Sequence, residues 1–199
     1  MRGEAGPILK EMDTLWSAFC NCRAHFPCVG DEAVGQTAIR TAPWYLQQGF
    51  DVWLCFPKPL TKKNVSDFNA IGHWLNQNFI VRLCALLEAR HVLSDEEKID
   101  QDLQEWERID IIRRLRNLFA HSSGHYKRQC AKHRKLLEKM NENLRLSLST
   151  ESTTEFPLGI SDVLNPLFEG CKEYVKAWAQ EAPSSTQAGK PGREMVPKG

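Results

Sequence analysis

Two residue types that can act on a phosphate group stand close together near the middle of the chain, in the segment Arg116 to His121. Histidine titrates near neutral pH and can therefore accept or donate a proton. Arginine keeps its charge and binds phosphate oxygens through a planar fork of N–H groups. Asn117 adds an amide directly after Arg116. This segment is the candidate site for acid–base chemistry on an anionic substrate.

The residues around this segment predict that it ends a long helix. A capping box at Ser94-Asp95-Glu96-Glu97 precedes an apolar stripe, and Gly124 follows it as a residue suited to a left-handed C-terminal turn. We therefore predict a helix from Ser94 to within two residues of His121, the longest of the protein. At 100° per residue, one arc must face the core; it contains Ile109, Ile111, Ile112, Leu115, Leu118 and Phe119.

The same wheel separates the polar residues of the segment. Asn117 and His121 are four residues apart and share one face with Asp110, Arg113 and Ala120, opposite the core. Arg116 lies at the edge of that face, roughly 140° from His121. A ligand held by both Arg116 and His121 must therefore lie across the helix end or be shared with a second chain.

The six residues Arg116-Asn117-Leu118-Phe119-Ala120-His121 read R-N-x-x-A-H and resemble the mark of the HEPN domain superfamily. These are small helical bundles that include RNA-cutting toxins and CRISPR-associated ribonucleases. Their mark is an arginine, a polar residue and a histidine at the end of a long bundle helix before a tight turn. The similarity covers these six positions and the surrounding pattern of helix, small-residue turn and helix.

The resemblance implies a metal-independent endoribonuclease of the toxin or antiviral-defence type, without a cofactor. His121 would move protons, Arg116 would stabilise charge on the phosphate, and Asn117 would orient one of them. Family members usually build the site from two chains, so a homodimer is expected, with an antitoxin or regulatory protein as a possible further partner. In one subgroup an antitoxin modifies a tyrosine two residues after the histidine. Here that position is Ser123, and the nearest tyrosine is Tyr126.

Two simpler interpretations stand beside this one. His121 suits a helix cap, since a histidine in the last turn interacts favourably with the helix dipole. The bundle could also be a non-catalytic module that binds RNA or a nucleotide, or that only dimerises, because a fold alone never proves activity.

The charge distribution supports an RNA partner more than the net charge of +1 does. Residues 94–110 hold eight acidic and two basic side chains, whereas residues 113–139 hold nine Lys or Arg and one acid. Most such runs are solvated surface, but this one surrounds the candidate site. We predict RNA-binding roles for Arg113, Lys127, Arg128 and Lys132. A second R-x4-H pair, Arg128 and His133, is interpreted as a chance match inside a helix.

Apolar periodicity predicts four further helices and an all-α bundle of about five helices. The first holds Ile8, Leu9, Met12, Leu15, Trp16 and Phe19; the second starts near Asn64 with Asp67 as capping partner; the fourth spans about His125 to Leu146; the last starts near Asn165-Pro166. Residues 26–63 form an irregular insertion, in which residues 52–56 suit a strand or a packed loop. Trp16, Trp74, Trp106 and Trp178 are expected in the core.

The remaining features fit a cytoplasmic protein without a membrane partner. No apolar run approaches the ~20 residues of a membrane-spanning helix, and the charged N-terminal segment is unlike a secretory signal. Seven cysteines without such a signal favour free thiols. Cys20, Cys22, His25 and Cys28 offer zinc ligands, but C-x-C is tighter than the usual spacing, so no metal site is predicted. Residues 1–181 are expected to form one domain, and residues 182–199 a disordered tail.

Overall fold

The computed structural model describes residues 4–40, 52–93, 99–122, 124–151 and 153–181. These residues form a bundle of five helices with a small two-stranded sheet, which confirms the predicted fold class. The predicted C-terminal tail at 182–199 lies outside the described residues. The helices are α1 (Ala5–His25), α2 (Lys62–Ala89), α3 (Trp106–Ser122), α4 (Ala131–Leu144) and α5 (Asn165–Gln180).

One apolar core joins all five helices. Met12 of α1, Leu83 of α2, Leu115 of α3, Leu137 of α4 and Val175 of α5 are each fully buried in it. Burying a side chain of this size contributes about 1.5–3 kcal/mol to the free energy of folding. The apolar core is therefore the main interaction that holds α3 in place. Among the described residues, no helix is both long enough and apolar enough to cross a membrane.

The α2 helix begins earlier than predicted and is the longest in the described chain. Thr61 caps it: Asn64 N donates to Thr61 Oγ1 at 3.2 Å, and Thr61 N donates to Asn64 Oδ1 at 2.9 Å. The capping box is therefore Thr61 with Asn64, so the helix starts two residues before Asn64, and the prediction of Asp67 as the capping partner was wrong. At 28 residues α2 exceeds the 17 of α3, which corrects the prediction that the third helix is longest.

The α3 helix ends where predicted and begins much later. It finishes at Ser122, one residue after His121, and Gly124 has a φ of +79°. The predicted capping box at 94–97 lies outside the described residues, but 99–105 are not helical. Glu105 has a φ of +66°, a left-handed conformation that no continuing α-helix tolerates. The helix therefore starts at Trp106, and no described residue of 99–120 belongs to a strand.

A backbone contact delays the start of α4. His125 forms an isolated antiparallel bridge with Glu155, and Tyr126 N donates to Thr154 O at 3.1 Å. The bridge, and the turn that Cys130 N closes by donating to Lys127 O, precede the helix, so the predicted start near His125 was wrong. The helix ends at Leu144 because Arg145 is left-handed, with a φ of +55°.

The α5 helix begins at Asn165 with Pro166 in its first turn, as predicted. A π-helical turn, Ile160–Leu164, leads directly into it, so Asn165 does not act as a free N-cap.

The insertion between α1 and α2 contains more regular secondary structure than its sequence predicts. Strand β1 (Ala38–Arg40) pairs antiparallel with β2 (Trp53–Cys55), which settles the ambiguous segment 52–56 as a strand at its centre. A 3₁₀ turn at Asp31–Ala33 precedes them. A second, smaller apolar cluster anchors this region to α2; it contains Val29, Ala33, Ile39, Leu60 and Val65.

Candidate functional site

Arg116 lies at a groove between α2 and α3. The groove has a volume of about 290 Å³ and is lined by Glu88, Asp110, Arg113, Arg114, Arg116 and Asn117. Arg116 Nη1 donates to Asn117 Oδ1 at 3.0 Å, and Nη2 lies 3.3 Å from Glu88 Oε2. The structure thus brings together three predicted site residues, Arg113, Arg116 and Asn117.

Glu88 was not found from the sequence. It lies on α2, 28 residues before Arg116, and its half-buried carboxylate neutralises the half-buried guanidinium. No spacing rule links residues on different helices, so only the packing of α2 against α3 reveals the pair. A phosphate that binds Arg116 must compete with this carboxylate.

Cys84, also on α2, is a buried electrostatic neighbour of this groove and is unreactive. Burial raises the pKa of its thiol to about 12; the charge of Glu88 adds to the rise, and those of Arg116 and Arg113 oppose it. The residue is fully buried. A thiol in this state is not a nucleophile at neutral pH, so covalent cysteine chemistry finds no support here.

Asp110 was predicted to face away from the core and instead is buried. Its side chain is 8% exposed and accepts hydrogen bonds from Lys139 Nζ and Arg114 Nε, each at 2.8 Å. Burial alone would raise the pKa of Asp110, but these two hydrogen bonds and charges outweigh it and hold the pKa below its usual value. Lys139 Nζ also lies 4.4 Å from the centroid of the Trp106 ring. The network ties α3 to α4.

His121 is exposed in the last turn of α3 and does not line the groove around Arg116. This separation agrees with the angle on the helical wheel. Just beyond it, a Cβ on Gly124 would lie 2.5 Å from the Gln77 amide and 3.0 Å from the Phe119 ring. Glycine is therefore favoured at 124 by its left-handed backbone conformation, and a larger residue would also have to displace the end of the Gln77 side chain.

The other predicted RNA-binding residues lie around the start of α4. Lys127, Arg128 and Lys132 are exposed, and Arg128 Nη2 lies 3.8 Å from Glu151 Oε2. His133 Nδ1 accepts a hydrogen bond from Lys127 N at 2.9 Å. Arg128 precedes α4, whereas His133 lies within it. The prediction that this R-x4-H pair lies inside one helix was therefore wrong.

Further site residues depart from expectation. His73 Nε2 lies 3.6 Å from Glu155 Oε2, and His125 Nδ1 lies 3.8 Å from Glu155 Oε1, so both histidines lie beside the same carboxylate. Trp74 was expected in the core but is 61% exposed.

Tyr126 is buried, and its hydroxyl has no hydrogen-bond partner among the described residues. A buried hydroxyl is poorly placed for modification by another protein.

The cysteines are free thiols: all seven lie in the described residues without a disulfide. Of the cluster weighed for zinc, Cys20 is buried, which raises its pKa to about 11, whereas Cys22 and Cys28 are exposed. Within the described chain, no three His, Cys, Asp or Glu side chains come together in a way that could hold a metal ion.

No protein-family model matches the chain, and comparisons with curated proteins and with solved structures found no significant similarity. The resemblance to the HEPN superfamily therefore stays a prediction that depends on the residues of α3 and on the arrangement around them.

Proposed function

We propose that this protein is a metal-independent endoribonuclease of the HEPN type. The observation that carries the proposal is the pairing of a cationic groove at Arg116 with an exposed histidine on the last turn of the same helix. Phosphate recognition needs the first, and proton transfer at neutral pH needs the second. Arg113 and Asn117 extend the groove with a second guanidinium and an amide.

The reaction would start with attack of a ribose 2′-hydroxyl oxygen on the adjacent phosphorus. A new P–O2′ bond forms while the P–O5′ bond breaks, which leaves a 2′,3′-cyclic phosphate and a 5′-hydroxyl. One proton leaves the 2′-oxygen and one reaches the 5′-oxygen. His121 serves as the acid or base, and the fork of Arg116 stabilises the charge that builds on the phosphate oxygens.

A homodimer would complete this site. The two proton transfers call for two titratable groups, whereas the segment offers one histidine per chain. His121 and Arg116 also point away from each other on one helix, which leaves a single chain poorly arranged around one phosphate. We therefore propose that the two chains of a dimer place their α3 ends in one cleft. Monomeric sedimentation at micromolar concentration, together with intact cleavage, would contradict it.

The test is incubation of the purified protein with transfer RNA and total RNA in EDTA. We expect cleavage products with cyclic phosphate ends. His121→Ala should lower the rate by at least the ~10²-fold typical of a lost general acid or base. Arg116→Lys should also fail, because a point charge cannot reproduce a forked contact. His25→Ala, at the last turn of α1, and Arg82→Lys, on the exposed side of α2, are matched controls that should keep full activity.

Metal-dependent cleavage would take a different form. Glu88 and Asp110 line the groove, but both carboxylates are paired with cations. Activity that disappears in EDTA and returns with magnesium would overturn the mechanism above.

The second candidate function is a non-catalytic module that binds RNA or a nucleotide. The ion pair between Arg116 and Glu88 favours it, because a guanidinium held by a neighbouring helix can have a structural role alone. Under this alternative, RNA binds without being cut, and His121→Ala leaves the affinity unchanged.

A further inference from the structure

A second cavity of the described structure lies away from the Arg116 groove. It has a volume of about 790 Å³ and opens between α2, the end of α1 and the π-helical turn at Ile160–Leu164. Its lining includes His73, Trp74, Asn76, Gln77, Glu155 and Asp162. A cavity of this size accommodates a small planar ligand with its immediate attachments.

An exposed indole lies at this cavity. Trp74 is 61% exposed, and Ile71, one turn earlier on α2, is 41% exposed. The third large apolar side chain exposed in the described chain is Trp53, at 60%, which does not line the cavity. An indole that is both exposed and set beside a polar cavity is a stacking surface for a planar ring.

The polar lining combines acceptors and amides with the buried guanidinium of Arg23. Glu155 remains half exposed beside His73 and His125, and Asp162 is exposed on the π-helical turn. Asn76 is 7% exposed; its Nδ2 donates to Leu158 O at 2.8 Å, while its Oδ1 has no donor among the described residues. Gln77 adds an amide that can donate or accept.

This cavity adjoins the C-terminal end of α3. Gln77 approaches Gly124 closely, and Glu155 meets His125 through both its side chain and a backbone bridge. His125 is four residues after His121, so the two Cα atoms lie within roughly 14 Å of each other. A strand of RNA that passes His121 can therefore place a neighbouring base in the cavity.

We propose that this cavity binds one unpaired base of the RNA substrate, stacked on Trp74, and that it favours guanine. Guanine presents adjacent N1–H and N2–H donors to a carboxylate such as that of Asp162 or Glu155, and its O6 accepts from an amide such as that of Gln77. Uracil offers a single donor. The carboxylates of Glu155 and Asp162 are exposed and repel phosphate, whereas the Arg23 cation is almost fully buried. The cavity therefore takes the base, and the exposed cations outside it take the backbone. This inference rests on the proposed function, because it deepens the choice of substrate at the same site.

The test measures binding apart from cleavage. Two fluorescent single-stranded RNAs, oligouridine with and without one central guanine, are titrated by anisotropy into His121→Ala protein at fixed salt. We expect the guanine probe to bind about tenfold more tightly, in the range of one good base contact. Adding Trp74→Ala should weaken its binding about tenfold. Trp53→Ala, which removes an equally exposed indole elsewhere, should not, and Asp162→Asn should reduce the guanine preference.

The outcomes separate this inference from the proposed function. Equal binding of both probes, or equal effects of Trp74→Ala and Trp53→Ala, overturns the base site even if the wild-type protein cuts RNA. Guanine-dependent binding without cleavage by the wild-type protein supports the base site and overturns the ribonuclease. If neither probe binds, the base site is overturned, and cleavage of transfer RNA by the wild-type protein decides the ribonuclease separately. A Trp74→Ala protein that sediments as a smaller species would assign the indole to a protein interface and overturn the base site.

Discussion

Replacing Asp110 with asparagine tests whether the buried network between α3 and α4 holds the candidate site in place. Asp110→Asn keeps the shape of the side chain and removes its charge, so Lys139 and Arg114 lose their counterion. Arg114 is 50% exposed, so water screens its ion pair with Asp110 and this pair contributes little to the free energy of unfolding. Lys139 is 20% exposed and dominates the loss.

The magnitude follows from that partition. Removing one member of a buried ion pair costs about 3–5 kcal/mol. A hydrogen bond to a charged group contributes about 1.5–3 kcal/mol, and the asparagine oxygen still accepts one neutral-type bond. We therefore expect Asp110→Asn to lower the free energy of unfolding by about 2 kcal/mol at pH 7. For a chain of this length the melting temperature should fall by roughly 4–8 °C.

The pH dependence gives a second readout. Because the pKa of Asp110 is lower in the folded protein than in the unfolded chain, its stabilisation is complete above the unfolded value. It is lost as the pH falls through the folded value. The difference between wild type and Asp110→Asn should therefore shrink as the pH falls below ~3.9.

Urea titration followed by far-UV circular dichroism, repeated from neutral to acidic pH, measures both effects. Asp67→Asn, an exposed position on α2, is the matched control and should stay within about 0.5 kcal/mol of wild type. A loss below about 0.5 kcal/mol for Asp110→Asn at pH 7, or a difference that persists in acid, would refute the reasoning.

Three further changes test the groove and the basic surface. Asn117→Ala removes only the acceptor of one Arg116 hydrogen bond, so cleavage should fall by less than the ~10²-fold expected for His121→Ala. Glu88→Gln releases Arg116 from a half-exposed pair, so KM for a short RNA should fall about 2- to 5-fold; a loss of cleavage in a folded variant would instead make Glu88 a positioning residue. Changing Lys127, Arg128 and Lys132 together to glutamine should lower the slope of log K against log salt by about 2; an unchanged slope would exclude them as phosphate contacts.

Periodicity predicted the face of α3 that meets the core, since Ile109, Ile111, Ile112 and Leu115 are fully buried and Leu118 is 8% exposed. The same periodicity argument failed for Asp110, because a helical wheel assumes that only one face of a helix is buried. In the structure α3 also contacts α4, whose Lys139 covers the second side. A carboxylate buried at that contact is visible only once its cation, 29 residues away, is in place.

The late starts of α3 and α4 have different physical causes. The left-handed backbone at Glu105 precedes α3, whereas a distant contact precedes α4. The bridge between His125 and Glu155 delays α4 by pairing residues 30 positions apart, which no local pattern encodes. The end of α3 was predictable because it depends on Gly124, whose left-handed conformation is a property of the residue itself.

The structure also changes what the basic block means for RNA binding. Three of its cations, Arg114, Arg116 and Lys139, are within 3.3 Å of carboxylates on α2 or α3 and already have a counterion. Five cations of the block have no ion pair with another described residue, so their charges are available to a phosphate without displacement of a carboxylate: Arg113, Lys127, Lys132, Arg134 and Lys135. Counting charges along the chain therefore overstates the positive electrostatic potential that an RNA would meet at this surface. Arg116 is the exception in the proposed mechanism, because an RNA phosphate that displaced Glu88 would gain the forked contact that the proposed chemistry needs.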